Sequence, residues 1–139
     1  MPDAILTARV PRWMPIGSEP DLCPAGTWWD AIRVPELVGR RAVVLVEEQR
    51  LSVGPVILDA GGREPRMYFL TPVGTAARWE EVGTVALGAS CHVVLPPVDR
   101  TVGPGLHWFW LPARPHVLTP PDVLRRALVK ARREHEGTL

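Results

Sequence analysis

The chain has 139 residues, of which 46% are apolar and 22% charged, and its formal net charge is +1. This is one domain with enough apolar surface for a core of its own, so disorder along the whole chain is excluded. The balanced charge leaves no strong electrostatic footprint for nucleic acid, and no run of about 18 apolar residues offers a membrane-spanning helix.

Residues 1–27 carry Pro2, Pro11, Pro15, Pro20 and Pro24. Proline removes a backbone donor and fixes φ, so this stretch is expected to be a Pro-rich N-terminal arm. It has room for a short edge strand over 5–10 and is pinned by Trp13 and Met14. The remainder, 28–139, is expected to be one α+β domain. Its first strand covers 28–34, where Trp28, Ile32 and Val34 supply aromatic and β-branched side chains. Pro35 then suits the first turn of a helix over 36–49, with Val38, Ala42, Leu45 and Val46 at helical spacing. Gly39 costs this helix up to about 1 kcal/mol relative to alanine.

Val56-Ile57-Leu58 is a continuous apolar run that suits a buried strand. Turn residues at 59–62 and a second strand over 66–70 make a hairpin with a long loop. Residues 72–81 read as a loop with one helical turn around Ala76, Ala77 and Trp79. Strands over 82–87 and 91–95 are separated by Gly88-Ala89-Ser90, and an aromatic strand covers 106–111. Thr119 fits the N-cap of a last helix, with Asp122 three residues on. Val123, Leu124, Ala127, Leu128 and Ala131 form its apolar stripe, and Gly137 ends it. The expected architecture is a mixed or antiparallel sheet with two main helices, ending in this amphipathic one.

Catalytic signatures are weak. Cys91 adjoins His92, but neighbours on a strand point to opposite faces, and a buried thiol explains the cysteine. Cys23 and Cys91 are too sparse for a disulfide framework, and the start lacks a signal-peptide pattern, so a reducing cytoplasm is expected. The histidines have no close zinc-type spacing, and no metal or cofactor is expected. Of the 16 basic residues only Lys130 is lysine, which reads as codon bias of a GC-rich genome. Arg126, Lys130 and Arg133 form a basic helix face, for which solvation is a sufficient explanation. The six tryptophans suit a core first, an interface second and base stacking third.

The order of motifs resembles the N-terminal domain of bifunctional DNA primase/polymerases, in the reduced, divergent form found in actinobacteria. Trp28-Trp29-Asp30-Ala31-Ile32 looks like the family's strand with an Asp-x-Asp pair. Gly61-Gly62-Arg63-Glu64-Pro65-Arg66-Met67-Tyr68-Phe69 looks like its Gly-Gly-x-His segment and aromatic strand. Val85 to Gly88, His92 to Pro97 and Gly105-Leu106-His107-Trp108 look like its third motif and the sequel. The resemblance covers about residues 28–112. It implies carboxylates holding two metal ions for phosphoryl transfer. Here the first Asp survives as Asp30, a remnant of the metal motif. The second falls on Ile32, the histidine on Met67 and the third Asp on Val85. None of these three side chains ligates magnesium.

The sequence therefore predicts a catalytically inactive primase/polymerase-like domain, used as a binding or regulatory module for a protein partner or for self-association. One alternative is a protein that binds single-stranded nucleic acid or nucleotides through Arg63, Arg66, Arg78, Trp79 and Trp108. The other is a small enzyme of unrelated chemistry using His92 and His107.

Overall fold

The computed structural model describes residues 10–137. The edge strand expected over 5–10 falls, for residues 5–9, outside the described residues. Strands β1 (Asp21–Pro24) and β6 (His92–Leu95) form a two-stranded antiparallel ribbon. The main sheet has five strands: β2 (Asp30–Pro35), β3 (Val56–Asp59), β4 (Arg66–Thr71), β5 (Val85–Leu87) and β7 (Leu106–Trp110). Its order is β5-β2-β4-β3-β7, and every pairing is antiparallel.

β2 and β3 flank β4 and therefore run parallel to each other, joined by helix α1 (Glu36–Glu48). This is a split β-α-β unit. A single helical turn, α2 (Thr75–Arg78), follows β4, and the C-terminal helix α3 (Pro121–Gly137) packs beside α1. The fold is thus the expected α+β domain with an antiparallel sheet and two main helices. Among the described residues no helix is long and apolar enough to cross a membrane.

Strand alternation sorts the core into two layers. Ile32, Val34, Val56, Leu58, Met67 and Phe69 face the helices, meeting Ala42, Leu45 and Val46 of α1 and Leu124 and Leu128 of α3. Each such fully buried large side chain contributes roughly 1.5–3 kcal/mol. Ala31, Ile57, Leu70 and Trp108 face the other way, onto Met14, Cys23, Val93 and Leu95 of the arm and ribbon. Trp13 meets the buried Trp29 edge to face, with ring centroids 6.2 Å apart. The β3 run is apolar throughout because both faces of that strand are covered.

Two glycines are explained by close approach. A Cβ on Gly39 would stand 2.7 Å from Met67 Sδ and 3.0 Å from Val34 Cγ2, so the helical cost of this glycine lets α1 settle on the sheet. A Cβ on Gly54 would stand 2.7 Å from the backbone of Val117 and Thr119.

Three expectations are corrected. The arm is expected to hold a strand only over 5–10, yet it contains β1, a short strand that tolerates Pro24 because it is an edge. The first strand starts at Asp30 rather than at 28, and it is Trp29 that is fully buried while Trp28 is half exposed. Thr119 does not cap α3. Its hydroxyl accepts the Gly54 N–H at 2.8 Å, and Pro120 O accepts the first helical bond, from Leu124 N.

The two helices are joined at the surface by Arg41 and Glu134, whose Nε and Oε2 lie 2.6 Å apart. The hydrogen bond from Arg41 holds the Glu134 carboxyl below its ordinary value. A depressed folded value means the contribution is present above the ordinary carboxylate value and is lost as pH falls through the folded one. Thermal melts from about pH 6 to about pH 3 should therefore fall more steeply for wild type than for Glu134→Gln. Parallel curves would show that this surface pair contributes nothing.

Candidate functional site

The motif positions do not gather into one site. Asp30 is 2% exposed, and its Oδ2 accepts the backbone N–H groups of Gly74 at 3.0 Å and Ala76 at 2.9 Å. The carboxylate thus holds the first turn of α2, where backbone donors otherwise lack acceptors. Ile32 and Met67 are fully buried on the helix side of the sheet. Val85 pairs directly with Arg33 and so faces the other side. Among the described residues no three His, Cys, Asp or Glu side chains stand close enough together to hold a metal ion.

The residues expected to bind nucleic acid are dispersed. Trp108 is 1% exposed, and its Nε1 donates to Pro96 O and Pro97 O, so no base reaches the ring. Trp79 is half-buried against the helix-side core, and its Nε1 donates to Thr84 Oγ1 at 2.8 Å. Arg78 closes α2 beside the Asp30 end of β2. Arg63 and Arg66 lie at the other end of that strand, about 16 Å along it.

Arg126, Lys130 and Arg133 are exposed on α3 as expected, on a face that also carries Glu134 and Glu136, which pair with Arg41 and Arg132. His92 is exposed on the ribbon, and His107 sits on the main sheet with Nδ1 2.9 Å from Gly105 O. They stand in different sheets. Burial pushes the Cys23 thiol above its ordinary value, and Asp21 adds to this, so Cys23 is a poor nucleophile.

What the fold does gather lies at the Pro35 end of β2. Along the ribbon-side face burial declines from Ala31 and Leu70, both at 0%, to half-buried Arg33 and Tyr68 and then to exposed Pro35. The ribbon stops short and leaves this end of the face open. A groove of about 620 Å³ wraps this end of the sheet where β2 passes into α1, reaching Val38 and His135 on the helix side, within the roughly 300–1,000 Å³ of ordinary ligand sites.

Three cations reach the groove from separate elements: Arg33 on β2, Arg63 in the 60–65 loop and Arg66 at the start of β4. Asp59 Oδ1 accepts the Gly61 N–H at 3.2 Å and shapes that loop. Glu36 is engaged by Arg40, and Glu64 lies 3.6 Å from Arg66. Arg33 and Arg63 have no ion-pair partner among the described residues. The floor is apolar, with Pro35, Leu37, Val38 and Val85.

A second recess, of about 350 Å³, shares Arg63, Glu64 and Arg66 with the groove and adds Tyr68. Arg33, Leu37, Tyr68 and Val85 are not among the binding residues that the sequence points to. The one available signal was an arginine at a strand position in step with Ala31, a cation where a core side chain belongs.

No family model, no curated protein and no solved structure matches the chain. The primase/polymerase resemblance rests on its sequence motifs alone.

Proposed function

We propose that the chain is a binding module without catalytic chemistry of its own, and that its ligand presents an anionic group to the groove beside Pro35. The observation that supports this is the convergence of Arg33, Arg63 and Arg66 over a largely apolar floor, with no ion-pair partner for Arg33 or Arg63 among the described residues. Guanidinium groups form forked, charge-assisted bonds with carboxylate and phosphate. A half-buried arginine without a counter-charge gains most from such a ligand. Engagement of the Asp30 carboxylate by backbone donors fits the same reading, because it gives that residue a structural task.

Fluorescence anisotropy with labelled hexaglutamate at low salt tests this. The double variant Arg33→Glu, Arg63→Glu should bind at least tenfold more weakly than wild type with an unchanged circular dichroism spectrum. Unchanged affinity, or a loss found instead on reversing Arg126, Lys130 and Arg133, would contradict it.

A second reading, single-stranded nucleic acid, is favoured by Tyr68, which stands directly opposite Arg33 on the neighbouring strand. Stacking a base on such a ring contributes about 1–3 kcal/mol. That reading requires an affinity for oligothymidine that falls linearly with salt in a log–log plot.

A further inference from the structure

We infer that the groove receives an acidic segment of a partner protein that also carries an apolar side chain, an inference that rests on the binding reading above. The argument is the complementarity of charge and floor. The three arginines line the groove from neighbouring positions, Arg66 opposite Pro35 and diagonal to Arg33, and Arg63 three residues before it. Beyond them the lining is mostly apolar, its carboxylates Glu36 and Glu64 being engaged by Arg40 and Arg66 and His135 standing on α3, and Leu37 and Val85 leave 67% and 41% of their surface uncovered. Past Gly83 this track continues into a small recess where Val82, itself 71% exposed, Leu128 and Val129 stand beside Glu81, Thr84 and Arg132.

A mineral anion would meet the guanidinium groups and leave this floor wet. A phosphodiester backbone needs successive cations at its own repeat, and the track supplies aliphatic surface instead. A peptide supplies both chemistries. Its carboxylates meet Arg33 and Arg63, and one leucine- or phenylalanine-sized side chain covers Leu37 and Val85. Burying apolar area adds affinity that charge alone does not supply, at roughly 25 cal/mol per Å² before the costs of association.

The test uses the full chain and three labelled probes: acetyl-Glu-Asp-Phe-Leu-Glu-Asp-amide, hexaglutamate and a single-stranded oligothymidine. The mixed peptide should bind at least tenfold tighter than hexaglutamate. Leu37→Ser should erase that difference, and the exposure of Leu37 keeps this substitution out of the core. Equal affinity for the two peptides would overturn the inference and leave the anion-binding reading standing. Tighter binding of oligothymidine than of either peptide would overturn it in favour of nucleic acid. Binding of none of the three would overturn both readings.

Discussion

Trp108→Ala should leave the chain largely unfolded under mild denaturing conditions. The side chain is 1% exposed and fills the space between the main sheet and the ribbon. Removing so large a buried ring costs about 3–5 kcal/mol. The indole N–H also serves Pro96 O at 3.1 Å and Pro97 O at 3.0 Å. A proline offers the backbone only its carbonyl, and leaving buried acceptors unmet costs roughly 1–3 kcal/mol more. Against a total of about 5–15 kcal/mol for a domain, the sum is a large fraction. Trp108→Phe keeps most of the volume and loses the donor, so it should cost roughly 1–3 kcal/mol. Urea unfolding followed by circular dichroism separates the two. A loss under about 1 kcal/mol for the alanine variant would mean that this ring does not join the layers.

Asp30→Ala should destabilise the fold by about 2–4 kcal/mol, and Asp30→Asn by about 1 kcal/mol. The carboxylate accepts two backbone N–H bonds at a nearly buried position. Alanine leaves both donors without an acceptor, whereas the asparagine amide oxygen still accepts at reduced strength. Neither substitution should alter hexaglutamate affinity, because the groove lies at the opposite end of β2. A carboxylate kept for metal chemistry would behave differently: its removal would be neutral or stabilising, since function-driven charge burial works against the fold. A midpoint unchanged in Asp30→Ala would therefore remove the structural account of this residue.

The elements that local pattern specifies were readable from the chain itself. The apolar stripes of α1 and α3, the buried run of β3 and the hairpin through Asp59 to Gly62 all follow from periodicity and turn chemistry. β1 did not, because its partner β6 lies some 70 residues away and the intervening prolines read as irregular. Thr119 carries an N-cap side chain in an N-cap context, yet a long-range bond to Gly54 takes its hydroxyl.

The site suffered most from this limit. Arg33 and Tyr68 become neighbours only when β2 pairs with β4, and their exposure depends on where the ribbon ends. Residue type suits the tryptophans to a core first and to base stacking third; Trp108 lies in the ribbon-side core and Trp79 packs half-buried against the helix-side one. Of the five residues considered for nucleic acid, only Arg63 and Arg66 converge, being three residues apart where the 60–65 loop leads into β4.

The most direct test is a ¹⁵N–¹H correlation spectrum of the full chain titrated with hexaglutamate at low salt. The account predicts that amide shifts gather at residues 33–38, 63–66 and 83–85 and at His135, which together line the groove. Shifts gathered instead along α3 around Arg126, Lys130 and Arg133, or no shifts at all, would contradict it.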